Sequence, residues 1–333
     1  MSSEAADSST VTAAGVPAAV RAVFFGSGRF AVPILDALVD IPGVRIQAVV
    51  SAPDRPAGRK AVVTPTPVTA RARELGVAVL QPVRVRRPEA VEEIAALAPD
   101  LVILADYGQL IPRSLLDLPP RGFLNLHPSA LPRHRGAAPI PATILAGDEE
   151  SAVTLIVVTE EMDAGPIVAA APLEVKPDDT AVTLEERASN VGASLLRSAL
   201  PEWLAGRLTP REQPADGGTA TRPLRREDGL LDPALGAARL ERQVRAYQPW
   251  PGSYLELAEG RMVVWSAAVG AAVRGDFPGQ VRADGDGLAL ATADGRLRLM
   301  EVQLAGKKRM TAAELRRGYP GLAGGQTRAA AVR

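Results

Sequence analysis

The sequence predicts an α/β protein in two parts: an N-terminal doubly wound, mostly parallel sheet of Rossmann-like type, then a small OB-like β-barrel. Three observations carry this. Up to about residue 205, short apolar runs alternate with helical patterns, the βα order of a parallel sheet covered by helices. Beyond residue 234, short strand patterns follow one another between Gly/Asp turns such as Asp286-Gly287 and Asp294-Gly295. A length of 333 residues also matches about two ordinary domains.

In order, Arg21 to Phe25 reads as a buried strand and Phe30 to Val39 as the helix after it. Further strands are expected at Val44–Val50, Val77–Leu80, Leu101–Ala105 and Phe123–His127, with helices at Thr69–Leu75, Pro88–Leu97 and Ala138–Ala146 between them. Strands at Val153–Val158 and Ile167–Val175 lead into a helix over Thr183–Leu204. There Thr183 and Glu186 have capping-box spacing, and Leu184, Ala188, Val191 and Leu195 recur at helical intervals. Residues 1–19 read as a disordered extension, 20–205 as the first domain and 206–233, rich in Pro, Gly, Arg and Asp, as a linker. Residues 234–322 form the second domain, with strands at Tyr254–Leu257, Met262–Val269, Gly279–Val281, Leu288–Thr292 and Leu297–Leu304, and 323–333 a flexible tail.

Composition excludes several chemistries. With no Cys there are no disulfides or thiolate nucleophiles, and with two His a histidine metal site is not expected, so no metal is expected. No apolar run is long enough to span a bilayer, and the N-terminus lacks the basic head and apolar stretch of a secretion signal, so a soluble, cytoplasmic protein is expected. Overall charge is balanced, but residues 1–205 hold 18 basic and 24 acidic side chains against 20 and 14 in the remainder. A basic second half suits phosphates, although a solvated mixed-charge face explains it equally well.

Both histidines fall within Asn125-Leu-His127-Pro-Ser129 and the following Leu131-Pro132-Arg133-His134-Arg135-Gly136. Imidazole is the one side chain whose ordinary pKa lies near neutrality, so proton transfer is sought at His127, at the carboxyl end of a predicted strand where α/β sheets bind ligands. A competing motif is Gly26-Ser-Gly28-Arg-Phe-Ala31, which fits the dinucleotide pattern after a strand. Asp54 stands too far along for the ribose-binding acid, and a tight βα turn explains the glycines as well.

Several separated blocks then converge. They are Phe30-Ala-Val-Pro33, Pro53-Asp-Arg-Pro-Ala-Gly-Arg59, Tyr107-Gly-Gln109, Asn125-Leu-His-Pro-Ser129, Arg135-Gly-Ala-Ala-Pro139, Met162-Asp-Ala-Gly165, Pro249-Trp-Pro-Gly252 and Gly306-Lys-Lys-Arg-Met310. Over nearly its whole length the chain resembles the methionyl-tRNA formyltransferases. That resemblance implies transfer of a formyl group from 10-formyltetrahydrofolate to the α-amino group of methionyl initiator tRNA. It implies catalytic roles for Asn125, His127 and Asp163, with Asn125 and a protonated His127 donating to the developing oxyanion and Asp163 raising the imidazole pKa. Folate contacts would come from Ser129, Ala130, Leu131 and Pro132, with Tyr107 and Gly108 nearby.

The resemblance further implies tRNA contacts by Arg55, Arg59 and Lys60 in one loop and by Lys307, Lys308 and Arg309 in another. It implies no membrane and no obligate protein partner. His134 matches no catalytic position and reads as a loop residue. Departures from the family pattern are Gly28 for Pro, Asp106 for Ala, Ala130 for Leu, Glu161 for Gly and Gln248 for Asn. The rivals are a transferase acting on another amine, such as glycinamide ribonucleotide or an amino sugar nucleotide, a silent RNA-binding protein on the same fold, and a dinucleotide-dependent oxidoreductase.

Overall fold

The computed structural model describes residues 19–57 and 62–327. The chain opens with β1 (Val20–Gly26), α1 (Ala31–Val39) and β2 (Val44–Val50), then a short hairpin of β3 (Arg55–Ala57) and β4 (Val62–Thr64). There follow α2 (Pro67–Glu74), β5 (Val79–Leu80), α3 (Pro88–Ala96), β6 (Leu101–Ala105), α4 (Arg113–Leu116) and β7 (Phe123–His127). The domain is completed by β8 (Arg135–Gly136), α5 (Pro139–Ala146), β9 (Glu150–Val157), β10 (Ile167–Glu174) and α6 (Ala181–Leu204).

Seven of these strands form one sheet in the order β10-β9-β7-β6-β1-β2-β5. The five from β7 to β5 run parallel, while β9 and β10 pair antiparallel at one edge. Because β1 is central, the chain winds outward first through β2 and β5 and then through β6 and β7, which puts the switch point between the carboxyl ends of β1 and β6. Alternation along β1 explains the double cover: Ala22 and Phe24 face the core made with α1 and α6, and Val23 and Phe25 face the one made with α3 and α4. On α6, Leu184, Leu196 and Leu200 are completely buried, so truncating any one to Ala costs about 2–5 kcal/mol.

The N-cap of α6 is Thr180, three residues before the expected cap at Thr183. Thr180 accepts from the Thr183 amide at 3.3 Å and the Thr183 hydroxyl accepts from the Thr180 amide at 3.0 Å, so a threonine fills the role expected of Glu186. The linker is also not free-standing, since β11 (Ala220–Thr221) within it pairs with β8.

The second domain contains α7 (Ala237–Ala246), β12 (Ser253–Leu257), β13 (Gly260–Gly270), β14 (Val281–Asp284), β15 (Gly287–Ala291), β16 (Arg296–Leu304), β17 (Met310–Thr311) and α8 (Ala312–Gly318). Its antiparallel sheet runs β12-β13-β16-β15-β14, with β17 on β16. The expected barrel is not closed, because β12 and β14 do not pair. Flanking chain covers both edges instead: Leu230 bridges to Tyr254 beside β12, and the Val281 amide of β14 donates to the Gly325 carbonyl at 2.9 Å. The domain thus takes in residues that the sequence assigned to the linker and the tail. Arg242 and Arg245 of α7 bond the Leu145 and Asp179 carbonyls of the first domain at 3.3 and 2.7 Å. Among the described residues no helix is long and apolar enough to cross a membrane.

Candidate active site

Strand β7 is buried on both faces, and its alternation sends Asn125 and His127 to the same side of the sheet. Asp163 arrives on the turn between β9 and β10 in a left-handed conformation, φ 51°, that a residue with a Cβ holds only when its surroundings fix it. They do fix it. Asn125 Nδ2 donates to Asp163 Oδ1 at 3.1 Å, and the Gly136 amide donates to Oδ2 at 2.8 Å. His127 Nδ1 lies 3.5 Å from the same Oδ2. The three predicted catalytic side chains therefore meet at one carboxylate.

The surroundings of His127 act on its protonation in opposite directions. Its Nε2 is 3.0 Å from the His134 carbonyl oxygen, which can only accept, so Nε2 carries the hydrogen and Nδ1 faces Asp163. The ring is 4 % exposed, and burial lowers its pKa from the ordinary histidine value, opposed in part by Asp163. Both ring nitrogens face acceptors, Nε2 the His134 carbonyl and Nδ1 the Asp163 carboxylate, so a proton at Nδ1 would be held between the ring and that acid. Asn125 keeps one amide hydrogen free, and its buried Oδ1 has no partner. An unmatched acceptor this deep costs about 1–3 kcal/mol until a donor arrives.

His134 is more than a loop residue. It sits at φ 58° with its ring bonded to Asp148 at 2.8 Å and its amide to Thr219 Oγ1 at 2.8 Å, which aims its carbonyl at His127. Gln213 was also missed. Its Nε2 donates to the carbonyls of Asp163 and Gly165 at 2.7 and 2.8 Å, and its Oε1 accepts from Arg135 at 2.7 and 3.0 Å. It lies in a stretch without periodicity, so no sequence signal marked it.

The expected folate contacts separate into two places. Ser129 is fully buried, its hydroxyl donating to the Arg133 carbonyl at 2.7 Å, so it shapes the loop through Leu131 and Pro132 rather than facing a ligand. Ala130 lines a surface pocket of about 390 Å³ with Arg133, His134 and Asp148. Tyr107 and Gly108 line another cleft, of about 680 Å³, at the switch point beneath the β3–β4 hairpin, together with Ser27, Gly28, Arg55 and Asp106. Burial pushes the Tyr107 phenol up to about 12, and its hydroxyl has no partner.

The glycine-rich turn is occupied by the protein's own acid. A Cβ on Gly28 would lie 1.6 Å from Asp106 Oδ2, so the two departures from the family pattern fit one another. Asp106 is exposed at the cleft, and Glu185 takes the Phe30 amide at the start of α1 at 3.2 Å. Two carboxyl groups stand where a dinucleotide would place its phosphates, and Asp54 is committed to Gln81 and Arg73 at 2.6 and 3.2 Å, which opposes the oxidoreductase reading.

Of the expected tRNA contacts, Arg55 is exposed on β3, whereas Arg59 and Lys60 lie outside the described residues. Lys307 and Lys308 are exposed between β16 and β17. Arg309 is exposed beside them, paired with Glu301 and stacked 5.1 Å from the Trp265 ring centre, while the Lys307 ammonium lies 5.9 Å over the Tyr319 ring.

Comparison with known proteins agrees with this architecture. Residues 20–200 match the formyl transferase family model and residues 223–320 its C-terminal domain model. A methionyl-tRNA formyltransferase of Halorhodospira halophila is 46% identical across 90% of this chain and 96% of its own length. That of Bacillus subtilis is 38% identical across 90% and 94%. Among solved structures, a sugar N-formyltransferase from Shewanella sp. superposes with a TM-score of 0.59 at 18% identity, covering 74% of this chain and 96% of its own. A methionyl-tRNA formyltransferase from Clostridium thermocellum gives 0.54 at 14% identity over 77% and 95%. The structural likenesses speak for the fold and the sequence likenesses span both domains, so the chain belongs to the methionyl-tRNA formyltransferase family.

Proposed function

We propose that the site transfers the formyl group of 10-formyltetrahydrofolate to the α-amino group of methionyl initiator tRNA. The observation that carries this reading is the meeting of Asn125, His127 and Asp163 around an unmatched Asn125 Oδ1. A free α-amino group has a pKa of about 7.7–8.0, and its ester linkage lowers it, so much of it is neutral at physiological pH. The neutral amine nitrogen attacks the formyl carbon while an amine hydrogen binds Asn125 Oδ1. The carbonyl π pair moves to oxygen, where the free Asn125 N–H stabilises it. The attacking nitrogen releases a proton to His127 Nδ1, and the imidazolium is stabilised by Asp163 and by the Nε2 bond to the His134 carbonyl. That proton then passes to folate N10 as the C–N10 bond breaks.

Leu131, Pro132, Tyr107 and Gly108 are the surfaces offered to the folate, and Arg55, Lys307 and Lys308 the cations offered to tRNA phosphates, with Arg59 and Lys60 as further candidates. The substrate pair implies a cytoplasmic setting. The test presents methionyl initiator tRNA, glycinamide ribonucleotide and an amino sugar nucleotide in parallel with labelled 10-formyltetrahydrofolate. Label in the aminoacyl group supports the assignment. Label in a small amine with none in the tRNA overturns it.

A further inference from the structure

The segment joining the two domains is built into the active site. Arg211 exchanges backbone hydrogen bonds with Ile167 at 2.7 and 2.8 Å, which extends the β10 edge beside the Asp163 turn. Further on, the Arg135 amide donates to the Thr219 carbonyl at 2.9 Å and the Thr219 amide to that of Pro132 at 3.2 Å. Thr221 Oγ1 donates to the Arg135 carbonyl at 2.9 Å and accepts the Ala138 amide at 3.0 Å. The approach is close enough that a Cβ on Gly136 would stand 2.3 Å from the Thr221 carbonyl oxygen. One end of the segment holds the turn that bears Asp163, and the other holds the loop whose carbonyl and amide orient His127 and Asp163.

Gln213 joins the two. Its amide nitrogen spends both hydrogens on the Asp163 and Gly165 carbonyls, and its oxygen receives the Arg135 guanidinium. Glutamate would keep the second function and lose the first, and leucine would lose both. Asparagine is one methylene shorter. Asp163 needs this support because its backbone is left-handed, and a relaxed turn would carry the carboxylate away from His127 Nδ1 and Asn125 Nδ2 together.

We propose that Gln213 is a positioning residue for formyl transfer, clamping the Asp163 turn to the His127 loop so that the interdomain segment completes the catalytic geometry. This rests on the formyl transfer reading. The polar atoms of Gln213 are all spent on protein partners, so its loss acts on kcat and leaves binding intact.

The test uses the full chain with Gln213→Leu and Gln213→Glu, each also combined with Asp163→Asn. Initial rates of tRNA formylation give kcat and the two KM values, and thermal unfolding reports folding. In otherwise unchanged protein both variants lower kcat by about tenfold to a hundredfold, with both KM values within about twofold. In the Asp163→Asn background, where the clamped carboxylate is gone, each costs less than about threefold more. Unchanged kcat, a loss confined to KM, full activity in Gln213→Glu, or equal losses in both backgrounds would each overturn the role. If Gln213→Leu unfolds, Gln213→Glu decides alone. Absence of formylation by the unaltered protein would instead remove the underlying reading.

Discussion

Removal of the Asn125 side chain separates catalysis from stability, and the structure indicates how far. In Asn125→Ala the oxyanion loses its donor, a change worth about a hundredfold to a thousandfold in kcat, or about 2.7–4 kcal/mol. Two stability effects oppose one another. The 3.1 Å bond to Asp163 disappears, a loss of about 1.5–3 kcal/mol for a charged acceptor, while the unmatched buried Oδ1 disappears too and returns about 1–3 kcal/mol. A small cavity adds a modest further cost, so the net change stays within about 2 kcal/mol. The assay is single-turnover formylation of charged initiator tRNA under saturating folate, with thermal unfolding on the same preparation. A rate within about threefold of the unaltered protein would refute the donor role. An unfolding transition below the assay temperature would refute the cancellation.

Asp163→Asn removes the charge that supports the His127 imidazolium, so kcat falls and its acid limb moves to lower pH; an acid limb at higher pH would contradict the assigned pairing. Because burial depresses the folded His127 pKa, its contribution to stability is complete above the unfolded value of about 6.5 and is lost as pH falls toward the folded pKa. Thermal melts from about pH 7.5 to about pH 5.5 should therefore show a smaller acid-induced drop in His127→Phe, and an identical drop would exclude this group. Lys307→Glu with Lys308→Glu should raise the tRNA KM and flatten its logarithmic salt dependence by about 1–2; an unchanged slope would remove both lysines from the interface. Gly28→Ala meets only the end of the exposed Asp106 side chain, which can rotate away, so it should change stability by less than about 1 kcal/mol; a loss above about 2 kcal/mol that Asp106→Ala relieves would show that the carboxylate is held in place.

The sheet of the first domain was legible because its strands are covered on both faces and read as continuous apolar runs; β2, β6 and β7 match their expected limits. The short helix α7 was not legible, since Ala237, Leu240 and Val244 are separated by Arg, Glu and Gln and make only a narrow apolar stripe. Strands of the second domain could be recognised but not their closure, which depends on whether the first and last strands pair, a contact without a local signature. Within the site, residue identities were available from the motifs, whereas the depth at which His127 lies was not. An adjacent carboxylate raises the imidazole pKa and burial, the larger effect, lowers it, and burial depth leaves no local signature in the sequence. Gln213 and the His134 carbonyl act through backbone groups, for which side-chain patterns provide no clue.

The flanking cover on the second domain's sheet sets where that half can be cut. A fragment starting at α7 would lack Leu230, and one ending before Gly325 would lack the carbonyl that accepts the Val281 amide. Either truncation bares a row of hydrogen-bonding groups able to template intermolecular pairing. Excised versions intended for solution work should retain residues 226 to 327, and shorter versions should self-associate in proportion to concentration.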